Sequence, residues 1–309
     1  MNDLILHHYA GSPFSEKVRL VFGMKQLAWK SVTVPNMLPK PDVIALTGGY
    51  RRTPFLQIGA DVYCDSALMC RVIDRLHPEP PLYPVEATGA QHLIAQWADS
   101  TLFWTVIPYT MQPAGLAQLF KGAPPEAMQA FAADRAAMSS GMRRIHPTMA
   151  ASQLASYLPQ LDDMLSDGRS FLLGEKVSIA DFSVYHCLWF IRRAPTLSGI
   201  VDPFTRLAAW RERMKAFGQG RPEKLSSSDA LQVSAAAASH ATCTVQPGLG
   251  FEAGATVSVT PVDYALDPVE GTLVGLDHDE VVIERRDERA GTVHVHFPRI
   301  GFHIKNINS

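Results

Sequence analysis

The stretch Ser12-Pro13-Phe14-Ser15-Glu16-Lys17-Val18-Arg19-Leu20 follows directly on a short apolar run, Leu4 to Tyr9, that reads as a buried strand. Pro13 suits the first position of a helix, where its missing N–H costs nothing. A hydroxyl just before it can do one of two things. It can cap its own helix, or it can donate to an anion that the positive end of the same helix also attracts. Three more places set polar side chains at a helix start or a turn: Lys40-Pro41, Thr53-Pro54 leading into a strand, and Asp65-Ser66 opening a helix eleven residues after Pro54. Taken singly, each is explained by a cap, a solvated lysine or a plain turn. Further on, Ser178-Ile-Ala-Asp181 has the serine and acid of a capping box, with Val177 and Phe182 placed as a hydrophobic staple. Asp181 is therefore expected to be structural, and the Ser-x-x-Asp spacing does not argue for a hydrolase.

In this order, over some 170 residues, the motifs resemble the glutathione transferase superfamily. Tau-class members carry Ser-Pro-Phe at the first loop, and omega-class members Cys-Pro-Phe before a similar Glu-Arg-x-Arg-Leu start. Zeta-class members share the serine. The resemblance covers roughly residues 4 to 222. It implies a thioredoxin-like α/β domain followed by an all-helical domain, a homodimer, and glutathione as co-substrate. By the same resemblance Ser12 is the catalytic hydroxyl, with Tyr9 as alternative, since several mammalian classes use a tyrosine ending the first strand. Phe14, Lys40, Thr53, Pro54, Asp65 and Ser66 become the glutathione-binding set. Thr53 would offer its backbone to the cysteinyl part from a cis-proline loop, although the isomer of Pro54 cannot be read from sequence. Asp65 and Ser66 would hold the γ-glutamyl end, and Lys40 the glycine carboxylate. The match is incomplete at Gly48-Gly49-Tyr50, which replaces the usual Asn-Pro segment, and Arg51 and Arg52 can compete with Lys40.

The implied chemistry is sound. A thiol of pKa about 8.5 is only a few per cent thiolate at pH 7. A hydrogen bond from Ser12 to the thiolate contributes about 1.5–3 kcal/mol, and the helix end about 0.3–2 kcal/mol. At about 1.4 kcal/mol per pKa unit, together they lower the thiol pKa by about 1 to 3. The electrophile is expected between the domains, walled by Phe14, Trp104 and Tyr109. A disulfide reductase is disfavoured, because Ser12 stands where such an enzyme needs cysteine. A glutathione-dependent isomerase, dehalogenase or etherase would use the same thiolate, and a non-catalytic binding protein the same fold.

The bulk properties agree with a globular protein of two or three domains. The chain has 309 residues, 47% apolar and 19% charged, with a formal net charge of −2. No basic surface argues for nucleic acid, no stretch for a membrane span, and no n-region or h-region for a secretory signal. The four cysteines, Cys64, Cys70, Cys187 and Cys243, match neither a zinc site nor a CxxC pair and are expected as free thiols in the cytoplasm.

The elements that must position these residues alternate strand and helix up to about residue 80, giving an α/β domain 1–80. A proline-rich connector, His77 to Pro84, follows. Only helical periodicity is found from Thr88 to about Gly218, and a further helix begins near Ser226, giving an all-helical domain 85–238. Five short alternating runs, roughly 255–262, 270–276, 279–286, 291–298 and 301–305, suggest a small all-β, barrel-like module over 251–309. At about sixty residues it is near the lower limit for independent stability, so it should dock on the helical domain or a second subunit. His7 and His8 should face opposite sides of a strand, one buried and one exposed. His294 and His296 share a strand face and, with His278 or His303, could bind a metal. A solvent face is the preferred reading, and no metal is expected.

Overall fold

In the computed structural model, which describes residues 3–307, every strand joins one ten-stranded sheet. Its N-terminal part holds β1 (Ile5–His8), α1 (Pro13–Met24), β2 (Ala28–Thr33), α2 (Pro41–Thr47), β3 (Phe55–Ile58), β4 (Asp61–Cys64) and α3 (Ser66–Leu76). β1 runs parallel to β2 and antiparallel to β3, and β3 antiparallel to β4, the expected thioredoxin-like arrangement. The central place of β1 corrects the expectation for its histidines, because helices cover both faces of it. His7 is 2% exposed, stacked on Phe55 and bonded to Gln57 at 2.8 Å. His8 is 8% exposed, 2.8 Å from Ser31 Oγ, and accepts from Arg19 at 3.0 Å. Burial pulls the pKa of each down to about 4.

The helical part comprises α4 (Thr88–Trp97), α5 (Phe103–Thr110), α6 (Pro113–Leu119), α7 (Pro125–Met138), α8 (Pro147–Asp163), α9 (Ile179–Arg192) and α10 (Thr205–Ala216). A π-helical turn, Ala98–Leu102, joins α4 to α5. One apolar cluster runs from the α1 and α3 side of the sheet (Val18, Phe22, Leu68, Val72) into the helices (Leu102, Leu154, Phe182, Trp210). Among the described residues no helix is long and apolar enough to cross a membrane. The chain then returns to the sheet. β5 (Arg221–Lys224) pairs parallel with β2 at one edge, and α11 (Ser227–Ala235) follows.

The C-terminal strands are β6 (Thr256–Pro261), β7 (Val269–Leu276), β8 (Glu280–Asp287), β9 (Gly291–Pro298) and β10 (Phe302–Asn306). All five fall where the alternating runs predict them and pair antiparallel with one another. Their closure differs from a free-standing barrel. β9 pairs parallel with β4, Asp61 opposite His294 and Tyr63 opposite His296, so the strands extend the N-terminal sheet. An unpaired β4 would leave a row of N–H and C=O groups at an edge, and β9 satisfies them. The core is shared too. Ile5, Val32, Leu46, Phe55 and Val62 pack in one cluster with Val257, Val269, Ile283, Val295 and Phe297. The module has too few residues to bury its apolar face alone; that face and its β9 edge dock on the N-terminal sheet, and its β6–β7 loop meets the helical layer.

The segment that departs from the superfamily pattern is where this docking occurs. Gly48, at φ 75°, ends α2 in the left-handed region, and a side chain there would overlap Val269 and Arg285. Tyr50 is 3% exposed and packs its ring against Phe297 and Phe302.

Candidate functional site

Ser12 is the N-cap of α1, with extended backbone and 2% exposure. Its Oγ accepts from the Ser15 N–H at 3.2 Å and donates to the Thr53 carbonyl at 3.3 Å. Capping uses a lone pair, so the hydroxyl hydrogen stays free to turn from that carbonyl towards an anion in front of the helix. The Thr53-Pro54 peptide is cis. The first and third motifs are thus in direct contact across 41 residues of chain. Tyr9 follows β1 directly and is half-buried, and among the described residues its hydroxyl meets no hydrogen-bond partner; its carbonyl accepts from the Ser12 N–H at 3.2 Å.

Asp65 caps α3, its Oδ1 accepting from the Ala67 N–H at 2.8 Å. It sits at φ 75°, a conformation costing a residue with a Cβ on the order of 1–3 kcal/mol. An ordinary N-cap needs no such backbone. Burial raises the Asp65 pKa, while the Ala67 N–H and the charges of Arg52 and Lys17 oppose the rise. Ser66 is buried, and its Oγ lies 3.4 Å from Lys17 Nζ.

Lys17 belongs to a cluster that motif reading missed. Its fully buried ammonium pairs with Asp99 at 2.5 Å, and Asp99 is bonded on its other oxygen to His186 Nε2 at 2.9 Å. Burial alone would lower the Lys17 pKa; the Asp99 carboxylate overrides it and the net direction is up. This relay ties α1 to the π-helical turn and to α9. The π-turn gives no signal in the sequence pattern, since it looks like uninterrupted helix.

Lys40 is 5% exposed at the start of α2, donating to the Arg51 carbonyl at 3.1 Å and to Thr53 Oγ1 at 3.3 Å. Burial, reinforced by Arg135 and Arg51, lowers its pKa to about 8. The two competing arginines are engaged elsewhere. Arg51 pairs with Asp134 at 3.3 Å and Asp267 at 3.1 Å, and Arg52 with Asp263 at 2.6 Å and the Tyr264 carbonyl. Lys40 alone of the three meets only neutral oxygens among the described residues.

The aromatic residues divide. Phe14 is half-buried, with ring centroids 4.6 Å from both Phe103 and His186. Trp104 stands 4.9 Å from Phe103 and 5.0 Å from Tyr264. Tyr109 does not join them: five residues along α5 is about 140° round a helix, and its hydroxyl donates to the Leu197 carbonyl at 2.8 Å. Tyr264 belongs to the loop between β6 and β7, outside the region of motif resemblance. That loop reaches across to the helical layer, where Ala265 N–H donates to the Met138 carbonyl at 2.7 Å. The aspartates at 263 and 267 and the arginines at 51 and 52 were its legible trace.

Asp181 lies away from this group and is fully buried. It accepts from the N–H groups of Ser178 and Leu172 and from Trp210 Nε1, at 2.8–2.9 Å.

Residues 6–81 match the family model described as glutathione S-transferase, N-terminal domain, and residues 125–213 that described as glutathione S-transferase, C-terminal domain. The crystal structure of a GST-like protein from Pseudomonas syringae is similar over 99% of this chain and 100% of its own, with 38% identity and a TM-score of 0.81. That likeness includes the C-terminal strands. A glutathione transferase from Phanerochaete chrysosporium shares the fold over 70% of this chain and 98% of its own, at 18% identity and a TM-score of 0.56. Among curated proteins, pyrimidodiazepine synthase of Drosophila melanogaster is 33% identical over 76 residues. That match spans 23% of this chain and about a third, 31%, of the relative's length.

Proposed function

Because this chain belongs to the glutathione S-transferase superfamily, we propose that it is a glutathione transferase in which Ser12 activates the glutathione thiol for attack on a small hydrophobic electrophile. The observation that carries this reading is the contact of Ser12 Oγ, at the α1 N-terminus, with the carbonyl of the cis Thr53-Pro54 loop. Bound glutathione supplies the nucleophilic sulfur. The Ser12 hydroxyl swings from Thr53 to donate to that sulfur, and the α1 N-terminus adds its positive end. Asp65 pairs the γ-glutamyl ammonium, Ser66 and the α3 N-terminus take the adjoining carboxylate, and Lys40 takes the glycine carboxylate. Phe14, Trp104 and Tyr264 wall the electrophile. The same machinery supports glutathione-dependent isomerisation, dehalogenation or ether cleavage, which differ only in what the second pocket admits. A homodimer in the cytoplasm is the proposed working form.

The deciding experiment is an electrophile panel run with glutathione on the wild type, Ser12→Ala and Tyr9→Phe. Ser12→Ala should lower kcat at least tenfold, with a smaller change in KM for glutathione, because the lost bond acts on the reacting sulfur. Unchanged turnover in Ser12→Ala with collapse in Tyr9→Phe would move the role to Tyr9. Glutathione binding with no turnover on any electrophile would favour a binding protein.

A further inference from the structure

Asp61, His240 and His294 meet where three parts of the chain join. Asp61 begins β4, His294 is its register partner on β9, and His240 lies on the irregular connector between α11 and β6. Asp61 Oδ1 is 4.0 Å from His240 Nδ1 and 3.9 Å from His294 Nδ1, and the three ligand atoms all lie within 4.8 Å of one another. Both Nδ1 atoms are shut off from solvent, and neither has a hydrogen-bond partner among the described residues. His294 is 8% exposed, against the solvent face expected for it, because β9 became an interior strand of the shared sheet.

The chemistry of the trio is distinctive. His294 Nε2 faces Glu284 at 3.4 Å, which favours the tautomer carrying its proton on Nε2 and turns the Nδ1 lone pair towards Asp61. Asp61 is itself held: Oδ1 accepts from His296 Nε2 at 2.9 Å and Oδ2 from the Ala241 N–H at 2.9 Å. His296 is braced in turn by Glu280. Two imidazole nitrogens therefore confront a carboxylate oxygen across a gap too wide for a hydrogen bond. Buried polar atoms left without partners are costly, and a cation fills such a gap where a proton does not. His294, with the Glu284 carboxylate on its other ring nitrogen, has the surroundings that a ligating histidine commonly has.

We propose that Asp61, His240 and His294 form a binding site for one divalent transition-metal ion of zinc type, with a water on its fourth position. Zinc–nitrogen and zinc–oxygen bonds of about 2.0–2.1 Å place tetrahedral ligand atoms about 3.3 Å apart. The two gaps must therefore close by about 0.6 Å each. The His240 and His294 rings now stack at 3.8 Å with planes 12° apart, so they must tilt for both lone pairs to reach one ion. His240, 22% exposed on the connector, is the ring free to do so. Asp61 precedes Asp65 by four residues, about 13 Å along an extended chain, so the ion would sit apart from the proposed γ-glutamyl site. Its role is mechanical: it ties the connector and β9 to β4 across a ladder only three residue pairs long.

The test titrates zinc, then cobalt, into chelator-treated full-length protein, following uptake by calorimetry, melting temperature and the cobalt absorption bands. One equivalent should bind, the melting temperature should rise with free metal, and the cobalt bands should report a four-coordinate nitrogen and oxygen site. His240→Ala, on the irregular connector, and Asp61→Asn should each weaken binding at least tenfold, whereas exposed His278→Ala should not change it. Absence of stoichiometric binding to folded wild-type protein would overturn the proposal. So would binding that survives His240→Ala and Asp61→Asn but is lost in Cys243→Ser, the thiol of the neighbouring cleft.

Discussion

Arg52 and Asp263 form a 2.6 Å ion pair that joins the segment entering the Thr53-Pro54 loop to the β6–β7 loop, 211 residues away in sequence. Through it the C-terminal strands reach the proposed active site, because the next residue, Tyr264, meets Trp104 and lies 5.8 Å from the Arg52 guanidinium. Asp263 is 44% exposed, and such pairs are worth roughly 0–1 kcal/mol. Its contribution is placement rather than stability. Asp263→Ala should lower the melting temperature by no more than about 4 °C. Tyr264→Ala should change the ranking of electrophiles by kcat/KM while leaving KM for glutathione within about twofold. An unchanged ranking would remove Tyr264 from the pocket.

Asp65→Ala should raise KM for glutathione at least tenfold, since the ligand's ammonium would lose its only proposed counter-charge in a partly desolvated site. Asp65→Asn separates charge from capping: it keeps an oxygen for the Ala67 N–H and should fold normally while binding as poorly. A wild-type KM in both variants would place the γ-glutamyl site elsewhere.

The Lys40 pKa of about 8 predicts a pH effect on binding. With its folded value below the ordinary lysine value, Lys40 loses its charge as pH rises through about 8, and with it the partner for the glycine carboxylate. Affinity for an S-alkyl glutathione, which has no titrating thiol, should fall from pH 7 to pH 9 in the wild type and much less in Lys40→Met. The stability effect has the opposite sense. Between about pH 8 and 10.5 the unfolded chain holds more protons at this site, so Lys40 alone makes stability rise with pH there. Equal pH slopes for the two proteins would exclude Lys40 from the glycine site.

His7 should contribute to acid unfolding. Its folded pKa of about 4 lies below the ordinary 6.5, so the unfolded state binds the extra proton first and stability falls as pH drops from about 6.5 to 4. Fully expressed, the loss is of order 3 kcal/mol. His7→Asn should flatten denaturant midpoints over that window. A slope unchanged by the substitution would show that His7 titrates normally.

Removing the chain beyond Lys224 should abolish soluble folding. The cut exposes the Phe55 and Val62 face and the β4 edge that β9 covers, an aggregation-prone combination. A motif-based expectation is the reverse, that such a fragment still binds glutathione, because every transferase motif precedes the cut. Circular dichroism and glutathione retention on the fragment decide between them.

The local sequence determined the elements and their chemistry. Pro13 after Ser12, Asp65 before Ser66 and Asp181 after Ser178 each make their capping contacts with groups within three residues, so the types and spacing of the caps carry the information. The alternation of Val257, Val259, Val293, Val295 and Phe297 likewise marked strands with one apolar face. What covers that face was decided only in three dimensions. Strand pairing is made by backbone groups that every sequence possesses, so nothing in β9 or β4 names the other. The burial of His7, His8, His294 and His296 follows from that pairing, as does the approach of Tyr264 to Trp104. The Gly48-Gly49-Tyr50 departure recorded the contact in advance, but a glycine pair says that something comes close, not what.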